Sequence, residues 1–236
     1  MPYVDDKLDV AKPAKLYHHP MCPFSRMLRI IVREKGADAD FSLISEKFWE
    51  WNETFLIINP SGQLPVMIIK NDTIIKGLYS CIEYLEELIP DHKLLAGSLE
   101  NRAEIRSLVD WFNGKMYQEV TKHLLQEKVI KVITKVGSTN STVIRAAKKN
   151  ILCHLDYISY LLEYNSYLHG DSISLADCAA AAQISLLDHL GDIPWEYNQR
   201  VREWYALMKS RPSMKHILDD DVPGVIAPSH YKNPDF

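Results

Sequence analysis

The sequence predicts an α/β unit over residues 15–89 followed by an all-helical unit over residues 99–218. Three observations carry this. A short apolar segment from Lys15 runs into a Pro-bounded cysteine, and a basic amphipathic pattern at Arg26, Met27, Leu28, Arg29, Ile30 and Ile31 follows at once, which reads as strand, tight loop, helix. Gly62-Gln63-Leu64-Pro65 opens a second apolar run, Val66 to Ile69, and Asn71-Asp72 turns it back through Thr73-Ile74-Ile75 as a hairpin does. From Ile105 onward the apolar residues recur at three- and four-residue steps, the period of packed helices.

Composition narrows the function classes. The 236 residues are 47% hydrophobic and 25% charged, as in an ordinary globular protein, and the net charge of −4 gives no electrostatic footprint for nucleic acid. Cys22, Cys81, Cys153 and Cys178 lie far apart without metal-type spacing, which favours reduced thiols over a disulfide framework. The acidic start, MPYVDDKLDVAKPAK, lacks the apolar core of a signal peptide, and no apolar run reaches membrane-spanning length. The expected location is the cytoplasm, with no membrane insertion.

Taken in order, residues 1–14 read as a loose extension, because Asp5, Asp6, Lys7, Asp9 and Lys12 leave little to bury. Cys22 falls at the start of the first helix, where unpaired N–H groups and a partial positive charge favour a thiolate. Cys22-Pro23-Phe24-Ser25 also has the layout of a redox motif whose second cysteine has become serine. The alternative is a small residue closing a loop. His18 and His19 point to opposite faces of a strand and have no third ligand at useful spacing, so a metal site is not expected.

Gly36 ends the first helix as a C-cap, and Phe41-Ser42-Leu43-Ile44-Ser45 alternates as a second strand. Phe48, Trp49, Trp51 and Phe55 then follow among charged residues. Either two or three of them pack inward with one simply exposed, or they form an aromatic contact patch for a protein partner. Residues 90–98 read as an interdomain linker.

In the second unit, Ile105, Leu108, Val109, Phe112, Met116, Val120 and Leu124 make one stripe on a long helix, with a bend expected at Gly114. Trp111, Glu119 and Lys122 lie off that stripe and face a dimer partner, the interdomain cleft or solvent. Gly137 to Ser141 breaks the helix, and Ala147, Ile151, Leu155, Ile158 and Leu162 mark the next. Ser174 with Asp177 spells a capping box ahead of a small-residue helix that should be buried at the centre, so Asp177 is assigned to folding. The tail, residues 219–236, carries Pro223, Gly224, Pro228 and Pro234 against a helix, yet is too apolar for a disordered end, so it lies on the body or docks on a partner.

Four of these stretches occur together in a known order. LYHHPMCPFSR resembles the first strand and active-site loop of the glutathione S-transferase superfamily in its cysteine-containing branches. Asn59 to Val66 is similar to that family's NPxGxVPVL segment, Ser174-Leu175-Ala176-Asp177 to its SxAD box, and Arg211-Pro212-Ser213 follows near the end, so the resemblance covers roughly residues 15–218. It implies a thioredoxin-like βαβαββα domain, an all-α domain and a homodimer. It also implies a cis Pro65 that leaves the backbone of Leu64 free to hold the cysteine of glutathione as an added strand. Pro65 serves the fold alone in relatives that do not bind glutathione.

Members that bind glutathione usually carry an acidic residue and then Ser ahead of the helix written here as CIEYLEEL. Those positions are Gly77 and Leu78. Hydrogen bonds to charged groups are worth roughly 1.5–3 kcal/mol each, so losing two weakens binding by about a hundredfold or more, part of which Ser80 and the helix N–H groups would recover. Finer likenesses, in EKFWEW, WFNGKMYQEVT, LGDIPW, KSRPSMKHIL and the ending VPG…HYKNPDF, resemble a branch of transferase-like division proteins of alpha-proteobacteria that bind the tubulin-like polymer FtsZ. That branch implies FtsZ or another protein as partner and no cofactor required; Trp49, Trp51 and Glu119 are the contact residues expected on such a surface. The competing reading is an enzyme in which a Cys22 thiolate forms a mixed disulfide with glutathione. An inert structural domain is the third.

Overall fold

The computed structural model describes residues 13–234, and the chain divides into two compact units between Lys93 and Leu94. The extension at residues 1–12 and the final Phe236 lie outside the described residues. The first unit runs β1 (Ala14–His18), α1 (Pro23–Glu34), β2 (Phe41–Ser45), α2 (Glu53–Ile58), β3 (Val66–Ile68), β4 (Ile74–Lys76) and α3 (Leu78–Leu88), the expected βαβαββα order. Its four-stranded sheet has the order β2-β1-β3-β4, with β1 parallel to β2, and with β1 and β4 both antiparallel to β3. The alternation of β1 puts Leu16 in the core opposite Leu43 and Met67, and the strand begins at Ala14, one residue before the expected start.

Local chemistry explains the joints. Pro23 occupies the first turn of α1, where its missing N–H costs nothing, and Gly36 ends the helix at φ +69°. Asn71 and Asp72 adopt φ of 58° and 53°, the left-handed conformation that these short polar residues tolerate, and so reverse the chain between β3 and β4 as expected. Lys35 was not singled out by any pattern, yet its ammonium is buried 2.8 Å from Glu86 and donates to the carbonyls of Ile89 and His92 at 3.0 Å each. It ties the end of α1 to the end of α3.

In the second unit α4 spans residues 99–134 without interruption, starting at a Ser98 cap whose side chain accepts from the Asn101 N–H. Gly114 does not interrupt the helix. The helix instead widens to π geometry over Trp111–Thr121 and Gln126–Ile130, which absorbs the local packing without a break. α5 (Ser141–Leu161) starts at an Asn140 cap, and α6 (Leu175–His189) is buried at every residue. The run Ala179–Ala182 is small enough for neighbouring helices to pack closely on it. α7 (Gln199–Lys209) and α8 (Pro212–Leu218) complete the unit.

One boundary differs from expectation. Leu94 and Leu95, read as linker, are buried, and the Leu94 carbonyl accepts from the Leu175 N–H at 2.9 Å, so the second unit begins before α4. The tail resolves in favour of docking on the body. Tyr231 is fully buried with its hydroxyl donating to the Ile217 carbonyl, and His230 Nε2 lies 3.0 Å from the buried carboxylate of Asp188, which also accepts from Trp195 Nε1.

Candidate functional site

The β1–α1 junction places Cys22 as expected, immediately before the helix, with φ −97° and ψ 114°. Its N–H donates to the His19 carbonyl and its own carbonyl accepts from the Arg26 N–H, both at 3.0 Å. The side chain does not reach solvent. Cys22 packs in one apolar cluster with Phe55, Leu64 and Val66, edged by Phe24 and Phe48, and is 5% exposed. The fold therefore brings the cysteine loop, the aromatic segment and the Leu64-Pro65 segment together.

This packing reverses the expected chemistry of the thiol. Burial pushes the Cys22 thiol up, outweighing hydrogen bonds from Ser25 and Phe24 and the charge of Arg26. A helix N-terminus favours a thiolate only where the charge keeps some solvent or a close counter-ion, and apolar walls remove the first. Alkylation should show it. Iodoacetamide at about pH 7.5 will modify the exposed Cys153 at least about tenfold faster than Cys22, and the rate at Cys22 will reach half-maximum only above the pH at which an ordinary thiol does. A midpoint near 7, read by mass spectrometry of the modified peptides, contradicts this description.

The other expected glutathione contacts are divided. The Leu64–Pro65 bond is cis as the resemblance implied, Leu64 is buried beside Cys22, and the sheet ladder begins only at Val66. Ser80 stands exposed on the first turn of α3, outside the Cys22 cluster. Gly77 is the N-cap of that helix at φ +85°, its carbonyl accepting from the Cys81 N–H at 3.2 Å with no side chain to add, while the Leu78 side chain is buried. The end of α3 thus offers backbone N–H groups and Ser80, without a carboxylate in its first turn.

Of the expected partner contacts, Trp51 is 83% exposed just ahead of α2, whereas Trp49 is half-buried and lies edge-on to His19 (4.6 Å between centroids) and Phe48 (4.8 Å). The inward-packing reading, with one aromatic left exposed, describes the segment. Phe48, Trp49 and Phe55 build the wall around the cysteine loop, and Trp51 faces outward.

Glu119 sits on α4 within a network that the apolar stripe did not reveal. Its carboxylate pairs with Lys115 and lies 3.2 Å from Nε2 of the buried His154. His154 Nδ1 accepts from Trp111 Nε1 at 3.2 Å, and Lys115 lies over the Trp111 ring. The signal was the i, i+4, i+8 spacing of Trp111, Lys115 and Glu119, which puts them on one helix face. The Lys115 hydrogen bond holds Glu119 below the usual carboxylate range, and burial holds His154 below the usual imidazole range.

Asp177 has a structural role throughout: it accepts from Leu168 N–H, Ser174 N–H, Ser174 Oγ and Trp204 Nε1 at 2.9–3.1 Å. Among the described residues no group of three or more His, Cys, Asp or Glu is placed to hold a metal ion, and no helix is long and apolar enough to cross a membrane.

Comparison with known proteins adds the family. A profile of the glutathione S-transferase N-terminal domain matches residues 21–88. FtsZ-localized protein A of Caulobacter vibrioides is 36% identical over 224 residues, covering 94% of this chain and 97% of its own. This chain belongs to the glutathione S-transferase family. Among family structures, a glutathione S-transferase from Rhodospirillum rubrum has a TM-score of 0.90 at 40% identity, covering 94% of this chain and all of its own. FzlA from C. crescentus has a TM-score of 0.91 at 35% identity, covering 95% of this chain and all of its own. The family's N-terminal and helical domains account for both units described above.

Proposed function

We propose that this protein is a transferase-fold binding protein of bacterial cell division that acts in the cytoplasm as a homodimer, takes FtsZ as its partner and has weak or no glutathione transferase activity. The near full-length similarity to a protein named for its FtsZ localisation supplies the partner. The observation in this structure that carries the reading is Trp51: a large side chain, 83% exposed and without a ring partner among the described residues, one segment away from a thiol sealed by apolar packing. Exposed tryptophans are frequent anchors of protein interfaces, and a binding protein has no use for an ionised Cys22 or for an acidic–Ser pair at 77–78.

Replacing Trp51 tests this. Trp51→Ala will keep the wild-type melting temperature to within about 2 °C, because the side chain is 83% exposed, and will weaken co-sedimentation with FtsZ filaments by about tenfold or more. Unchanged co-sedimentation of the folded variant overturns the placement. Trp49→Ala is the poorer probe, since Trp49 packs on His19 and its loss disturbs the cysteine loop. Glu119, with 38% of its side chain exposed, adds a second, charged contact on the helical unit. The competing reading, glutathione-dependent thiol transfer at Cys22, draws on the cysteine's place at the helix start and requires the apolar wall around it to open.

A further inference from the structure

β2 is one edge of the sheet, and among the described residues no strand pairs with its outer side. Sheet edges are normally blunted by charges, proline or bulges, because unpaired ladder groups accept foreign strands. Phe41-Ser42-Leu43-Ile44-Ser45 has none of these, and Leu43 is 49% exposed. The direction of its backbone groups follows from one bond. Glu46 N–H donates to the His18 carbonyl at 2.8 Å, so alternation turns Ser42, Ile44 and Glu46 toward β1 and leaves Phe41, Leu43 and Ser45 facing outward. The Phe41 N–H is used by the Asp38 carbonyl, so the usable outer edge is Leu43 and Ser45.

The charge beside this edge is net acidic, Lys15 on β1 opposite Ser42 being the one cation among the described neighbours without a carboxylate partner. Arg33 is paired with Asp38 and Lys47 with Glu50, while Glu46 is held by the Asn52 amide, so Asp40, Glu46 and Glu53 set the local potential. The strand leads directly through residues 46–50 to Trp51, and Ile57 on α2 is likewise 83% exposed. We propose that the outer edge of β2 takes an extended apolar segment of a protein partner, flanked by basic residues, as a fifth strand. The proposal rests on the binding reading above and specifies how the partner docks: main-chain bonds at Leu43 and Ser45 supply affinity, and the acidic surround selects basic flanks.

The test separates the two. The full chain is mixed with a synthetic peptide of alternating valine and threonine, about seven residues long, with lysine at each end, and compared with the same peptide ending in glutamate. Amide exchange at Leu43 and Ser45 will slow by about tenfold with the lysine peptide, and the glutamate peptide will bind several-fold more weakly. Leu43→Pro removes an outward N–H without touching the β1 ladder, and Leu43→Lys serves where the proline variant does not fold; each will weaken the lysine peptide by about tenfold. Unchanged exchange at Leu43 and Ser45, or wild-type affinity in a folded Leu43→Lys variant, overturns the proposal. Peptide binding without any FtsZ co-sedimentation supports the edge and counts against FtsZ as the partner.

Discussion

Asp177→Ala will lower the melting temperature by roughly 8–16 °C, the largest effect expected of any single substitution in the helical unit. The carboxylate is fully buried and accepts four hydrogen bonds, two from backbone N–H groups, one from Ser174 Oγ and one from Trp204 Nε1. Alanine leaves all four donors without an acceptor. Each orphaned buried donor costs about 1–3 kcal/mol, and with local relaxation the sum settles near about 4 kcal/mol. The network also fixes three pieces of chain at once, the loop at Leu168, the start of α6 and the α7 tryptophan, so the loss will be cooperative. Asp177→Asn keeps the volume and one acceptor oxygen, but its amide nitrogen meets donors, and it will recover only about half of the loss. A thermal scan showing less than about 3 °C of change in the alanine variant contradicts this assignment.

In the first unit the corresponding effect belongs to Lys35. Lys35→Met will cost about 3 kcal/mol, because the Glu86 carboxylate, with 8% of its side chain exposed, loses the ammonium it faces at 2.8 Å and the carbonyls of Ile89 and His92 lose their donor. The double variant Lys35→Met with Glu86→Leu will recover most of the loss, since the buried carboxylate that faced the ammonium is then gone and apolar volume fills the site. Chemical denaturation of the single and double variants measures this directly. Equal stability of the two contradicts it.

Local chemistry made much of the fold legible. Gly36 ending α1, Asn71-Asp72 turning the hairpin and Ser174 with Asp177 opening α6 each depend on residues within a few positions of one another. The cis Leu64–Pro65 bond was legible by resemblance rather than by periodicity. The failures share the opposite character. Whether Cys22 is ionised depends on Phe55, Leu64 and Val66, which arrive from other elements, so a correct placement at the helix start gave the wrong direction for the thiol. The Trp111–His154 bond joins positions 43 apart, and Lys35 reaches carbonyls 54 and 57 residues away. Neither pairing leaves a mark in any window of sequence. The aromatic segment split for the same reason: which of Phe48, Trp49 and Trp51 faces inward is decided by the His19 ring and the cysteine loop, not by their own spacing.

The central claim is that this chain keeps the transferase fold while its cysteine loop is sealed for packing, leaving the surface at Trp51 for a partner. The most direct measurement is a calorimetric titration of reduced glutathione into the purified protein, repeated with Cys22→Ser. The account predicts no binding heat at millimolar ligand for either protein, because two charged contacts are absent at Gly77 and Leu78 and the thiol is enclosed. Micromolar binding that weakens in Cys22→Ser contradicts it, and would mean that Ser80 and the α3 terminus hold the tripeptide while the apolar wall opens to Cys22.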